Sequence, residues 1–113
     1  TAWSQEAKIQ AGDAQNTDNF GISVSLSEDG NTAIVGARYE DTGGSDAGAA
    51  YIFTRSGSTW TEQAKIQAGD VQSSDQFGHS VSISGDGNTA IVGAYREDTG
   101  GSTAGAAYIF VAG

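Results

Sequence analysis

The chain has 113 residues, the size of one ordinary domain, with 17 Gly and no Pro, Cys or Met. Without Cys there is no disulfide framework, no thiolate-metal site and no cysteine nucleophile. Fourteen acidic against five basic residues give a net charge of −9, which repels phosphate backbones and argues against nucleic acid as a partner.

No apolar run approaches the roughly 18–20 residues of a membrane span. Thr1, in place of an initiator Met, suggests a trimmed or mature chain, and no signal peptide remains.

Displacing the sequence by 57 positions aligns it with itself without a gap, and 38 of the 56 pairs are identical. Residues 1–57 and 58–113 are thus two repeat units of one continuous module. A period of this size marks a supersecondary unit that cannot bury its own faces, and such arrays usually need about three or more units. Two copies alone therefore point to neighbours supplied by other chains. The alternative is that the chain is a stretch of a longer array.

Residues 3–11 and 60–68 read as matching strands. Trp60, Ala64, Ile66 and Ala68 alternate with polar residues, and Glu62 interrupts the apolar face. Residues 12–19 and 69–76 are polar and turn-rich, hence loops.

The next strand places Phe20, Ile22, Val24 and Leu26 on a bulky face, with Gly21, Ser23, Ser25 and Ser27 on a small one. The second copy places Phe77, His79, Val81 and Ile83 against Gly78, Ser80, Ser82 and Ser84. Asp29-Gly30 and Asp86-Gly87 supply hairpin turn chemistry. The TAIVGA run that follows is apolar at nearly every position, and this predicts a strand buried on both faces. After a longer polar loop comes the GAAYIF strand, at 48–53 and again at 105–110. No segment carries a helical period, so the fold class is all-β.

A repeated four-stranded antiparallel unit of this size is the blade of a β-propeller. Phe-Gly opening one strand, Val-Gly-Ala closing the next and GAAYIF after it resemble FG-GAP repeats. These are the blades of integrin α-subunit propellers and of secreted bacterial proteins. The resemblance implies a non-enzymatic, extracellular or cell-surface protein devoted to adhesion or partner binding.

If each blade runs A-B-C-D from axis to rim, the chain reads D-A-B-C-D-A-B-C. It comprises two four-stranded antiparallel blades completed by neighbouring chains: the first D has no A-B-C before it, and the last A-B-C has no D after it. An unpaired edge invites strand addition. The expected assembly interface is Trp3, Ala7 and Ile9 of one chain against Ala107, Tyr108, Ile109 and Phe110 of another. Such a contact is heterologous and gives a ring or a filament.

Candidate ligand residues are few. The resemblance implies calcium in the A–B loop, but the spaced run of acids is missing there, so that metal site is not carried over. The B–C loops hold Glu40, Asp41, Asp46, Glu97 and Asp98 beside paired Gly residues. They are a candidate site for calcium, or for a glycan or cell-surface protein bound with its help. His79, the single histidine, stands where the first copy has Ile22 and reads as a packing residue. No catalytic motif is present, and no cofactor is expected. Trp3 and Trp60 read as inter-blade packing residues in preference to sugar-stacking platforms.

Overall fold

The Asp-Gly-Asn turn builds the same hairpin twice. Asp29 Oδ1 accepts hydrogen bonds from the Ser27 hydroxyl (2.6 Å) and the Asn31 amide (3.0 Å). The Thr32 amide donates back to the Ser27 hydroxyl oxygen (3.1 Å). Ser84, Asp86, Asn88 and Thr89 repeat the arrangement at 2.6, 3.0 and 3.0 Å. Such side-chain bonds to nearby backbone favour a turn over continued strand.

The computed structural model describes residues 3–10, 20–37, 48–67, 77–94 and 105–112. It contains β1 (Phe20–Leu26), β2 (Thr32–Ala37), β3 (Ala49–Ser56), β4 (Thr59–Ile66), β5 (Ser80–Ile83), β6 (Thr89–Ala94) and β7 (Ala106–Val111). The first four form an antiparallel sheet in chain order, and the last three form a second. No helix occurs among the described residues.

The chain is all-β, and its sheets are consistent with propeller blades. The first sheet has the expected four strands and the second has three among the described residues. Residues 3–10, expected to open the chain as a rim strand, lie outside any ladder. They have the composition of β4, but a strand is defined by its neighbour, and no segment among the described residues pairs with them.

The expected alternation in β4 is also corrected. Ile52 pairs with Ala64 but Phe53 pairs with Glu62, so Gln63 is an extra residue in a bulge. A bulge of this kind transposes the faces on either side of it. Trp60 and Glu62 therefore share one face of the sheet, and Ala64 and Ile66 share the other. Glu62 stands opposite Phe53 on the outer face, away from Ala64 and Ile66.

The two sheets stack. Sheet one contributes Ile34, Ala50, Ile52 and Ile66 to the seam, and sheet two contributes Phe77, Val81, Ile83, Ala90, Val92 and Ala94. Burying a side chain such as Ile34 or Val92 stabilises by about 1.5–3 kcal/mol. The phenylalanine of each repeat stands edge-on to two rings of its own sheet. Phe20 is 5.5 Å from Tyr51 and 6.1 Å from Phe53, and Phe77 is 5.6 Å from Tyr108 and 5.8 Å from Phe110.

Backbone also meets backbone at this seam. The Ser23 hydroxyl donates to the Gly78 carbonyl (2.8 Å), the Ile83 amide to Ser25 Oγ (3.3 Å), and the Glu28 amide to the Gly85 carbonyl (3.1 Å). Gly78 holds φ at 95°, and a Cβ there would strike the Ala49 carbonyl. A Cβ on Gly36 would strike the Gly78 carbonyl from the other side.

Candidate assembly surface

Val24 pairs with Val35 and Leu26 with Ala33, so all four share the face of sheet one turned away from sheet two. That face is open at its β1 edge: Val24 is 67% and Leu26 60% exposed, while Val35, Tyr51 and Phe53 are buried with Ile9, Phe20 and Trp60 packed against them. Val24 and Leu26, on the bulky side of the strand, are bare because no other described sheet covers them. In β5 the same side is used, with Val81 and Ile83 packed into the seam.

The far face of sheet two is open as well. Ser82 pairs with Ile91, and Ile91 with Ile109. Ile91 is 42% and Ile109 65% exposed. Their counterparts one repeat earlier, Ile34 and Ile52, sit in the seam.

The expected interface residues fall at these two places. Ile9 is half-buried against the outer cluster of Val35, Tyr51 and Phe53, while Ala7 and Trp3 are exposed. The segment is tied down by Glu6, whose Oε2 accepts from Trp60 Nε1 at 2.9 Å and from Arg55 Nη1 at 3.5 Å. Arg55 stacks over Trp60 at 5.8 Å from the ring centroid. Trp60 thus packs on the outer face of sheet one rather than in the seam between the sheets. Ala107 and Ile109 are exposed on the edge strand β7, and Tyr108 and Phe110 pack beside the seam cluster. One molecule therefore carries the two halves of the expected interface on different sheets and does not bring them together.

Sequence reading missed Glu6 and Arg55 as the clamp on residues 3–10. No sequence signal marks that pair, because the second repeat has Gln63 and Ala112 at the matching positions. The seam roles of Ser23 and Ser25 were also missed. Their conservation between the copies, as Ser80 and Ser82, is the signal that identifies them.

Glu40, Asp41, Asp46, Glu97 and Asp98 lie outside the described residues. Among those described, no group of three or more His, Asp or Glu is arranged to hold a metal. The hairpin acids do not fit calcium, which needs about six to eight oxygen ligands. Each Asp is already bonded within its own turn. Those bonds, from Ser27 first and then the Asn31 amide, hold the Asp29 carboxyl below its ordinary pKa. Ser84 and the Asn88 amide do the same for Asp86. His79 lies half-buried just before β5.

The glycine seam under Phe77-Gly78, repeated in sequence at Phe20-Gly21, agrees with a repeat pattern that matches residues 3–53 and again 60–110, the FG-GAP repeat. The chain belongs to the FG-GAP repeat family. FG-GAP repeats form propeller-type modules and are typically found in extracellular or cell-surface proteins. No curated protein matches the chain. No helix among the described residues is long and apolar enough to cross a membrane.

Proposed function

We propose that the chain is a non-enzymatic structural module of the cell exterior or surface. It works by joining copies of itself head to tail, through strand complementation, into a closed propeller or a filament. One observation carries this reading. The same TAIVGA sequence forms β2 and β6, yet Ile34 is fully buried and Ile91 is 42% exposed. In β2 the run is buried on both faces, and in β6 on only one. Val24 and Leu26 on sheet one and Ile91 and Ile109 on sheet two expose apolar side chains, as contact surfaces between protein chains do at their centres.

No catalytic role is assigned to His79 or to the acidic residues, and no cofactor is invoked. Light scattering across a concentration series tests the reading. Masses at multiples of 11.5 kDa that rise with concentration are expected. A monomer at every concentration would refute it. Deleting residues 1–10 removes the rim segment and is expected to abolish assembly.

A further inference from the structure

The internal junction between the sheets supplies a template for the contact between copies. Residues 3–10 already stand against sheet one as β4 stands against sheet two. Glu6, Ala7 and Ile9 share a groove with Leu26, Gly30 and Ala33. Gln63, Ala64 and Ile66 share one with Ile83, Gly87 and Ala90. Every one of these six pairs is related by the 57-residue displacement. Residues 3–10 are therefore held in the place of a rim strand, with no ladder partner among the described residues.

A second observation is independent of the first. Gly78 holds φ at 95° where it is pressed against sheet one. Gly21, in the bulge between Phe20 and Ser23, holds nearly the same φ, 93°, with nothing within 4 Å of where its Cβ would be. The backbone at Phe20-Gly21 thus has the conformation and the free space that Gly78 uses against a stacked sheet.

We propose that sheet two of a second copy fills this space, in the register of the β3–β4 pair. This rests on the self-assembly reading and specifies its geometry. The second copy lays Ile91 and Ile109 over Val24 and Leu26 of the first. Its Ser80 hydroxyl donates to the Gly21 carbonyl, as Ser23 does to Gly78. Its β7 pairs antiparallel with residues 3–10 of the first copy. The pairing of Ile52 with Ala64 and of Ala50 with Ile66 sets Ile109 opposite Ala7 and Ala107 opposite Ile9. Continuity with the junction already present identifies the occupant as a copy of this chain. The far side of sheet two repeats, at Ser80, Ser82, Ile91, Gly93, Ala107 and Ile109, the surface of sheet one on which sheet two itself sits, with Val111 in place of Thr54.

Disulfide trapping tests the register in a chain that has no Cys of its own. Ala7→Cys protein, enlarged by a tag, is mixed with Ile109→Cys protein and oxidised. A mixed dimer is expected. Mixing Ala7→Cys with Ala107→Cys is expected to give at least tenfold less, because diagonal neighbours stand about 7–8 Å apart, too far for the bond. An Ile52→Cys/Ala64→Cys chain closing on itself is the positive control. Leu26→Asp provides a second measurement. It is expected to weaken association about tenfold or more while the dilute chain keeps its fold, since the residue is exposed there.

Oligomers that trap only the Ala107 pair overturn the register. Oligomers that trap neither pair and tolerate Leu26→Asp overturn the interface and leave self-assembly standing. A chain that stays monomeric removes both.

Discussion

Ile34 and Ile91 make an internal experiment, since the same residue in the same six-residue strand meets different surroundings. Truncating a fully buried isoleucine to alanine costs about 2–5 kcal/mol, and Ile34 is fully buried. In a domain whose total stability is on the order of 5–15 kcal/mol, Ile34→Ala removes a large share. Ile91 is 42% exposed, so Ile91→Ala is expected to cost the dilute chain about half as much.

Association reverses the order. Covering the exposed 42% of an isoleucine is worth about 0.6–1.3 kcal/mol, or roughly a three- to eightfold change in association constant. Urea titration at low concentration reads the first quantity, and sedimentation at a series of concentrations reads the second. Ile34→Ala is expected to dominate in urea, and Ile91→Ala to shift the concentration at which oligomers appear. Equal urea midpoints for the two variants, or unchanged oligomers in Ile91→Ala, would refute the one-sided burial on which the reasoning stands.

Further outcomes follow from other parts of the molecule. Gly36→Ala forces a Cβ onto the Gly78 carbonyl and is expected to cost about 1–3 kcal/mol by thermal denaturation, whereas Gly93→Ala meets only the Ser80 hydroxyl and is expected to cost less. Asp29 and Asp86 have depressed folded-state pKa values, so their contribution is present above the ordinary value of 3.8 and is lost as pH falls through the folded values. Melting temperature is expected to drop below pH 4, and less steeply in Asp29→Asn/Asp86→Asn. Glu6→Ala releases both Trp60 and Arg55 and is expected to change tryptophan emission with less than about 1 kcal/mol of lost stability, because the pair is partly exposed. Calcium is expected to leave the Asp29 and Asp86 carboxyl resonances unmoved; a shift on addition would show that the turns open to take the ion.

The fold was legible because each strand announces itself twice. The Asp-Gly-Asn turn, the TAIVGA run and GAAYIF recur at one displacement, and each became the element its pattern specified. What escaped sequence reading depended on neighbours. Residues 3–10 have β4's composition without a partner strand among the described residues, so they lie outside both ladders. Gln63 shifts the faces of β4 because the partner strand is one residue shorter over that stretch, which alternation within β4 alone does not reveal. Val24 and Leu26 read as part of one bulky face from their alternation, and their exposure follows from what is not stacked on them. The candidate interface was legible as an incompleteness in strand order. The clamp of Glu6 on Arg55 and Trp60 was not, since it joins residues about fifty positions apart and occurs in only one repeat.

The glycine contacts at the seam bear on how such chains lengthen. A joint made partly where main chain touches main chain, and where glycine is required mainly for what it lacks, takes its spacing from the backbone as well as from the side chains packed around it. Duplicating the coding segment for one unit reproduces both halves of the joint at once, with no new recognition surface to be invented. Gly36 and Gly78, together with buried seam residues such as Ile34 and Val92, are the positions where a substitution disturbs the stack.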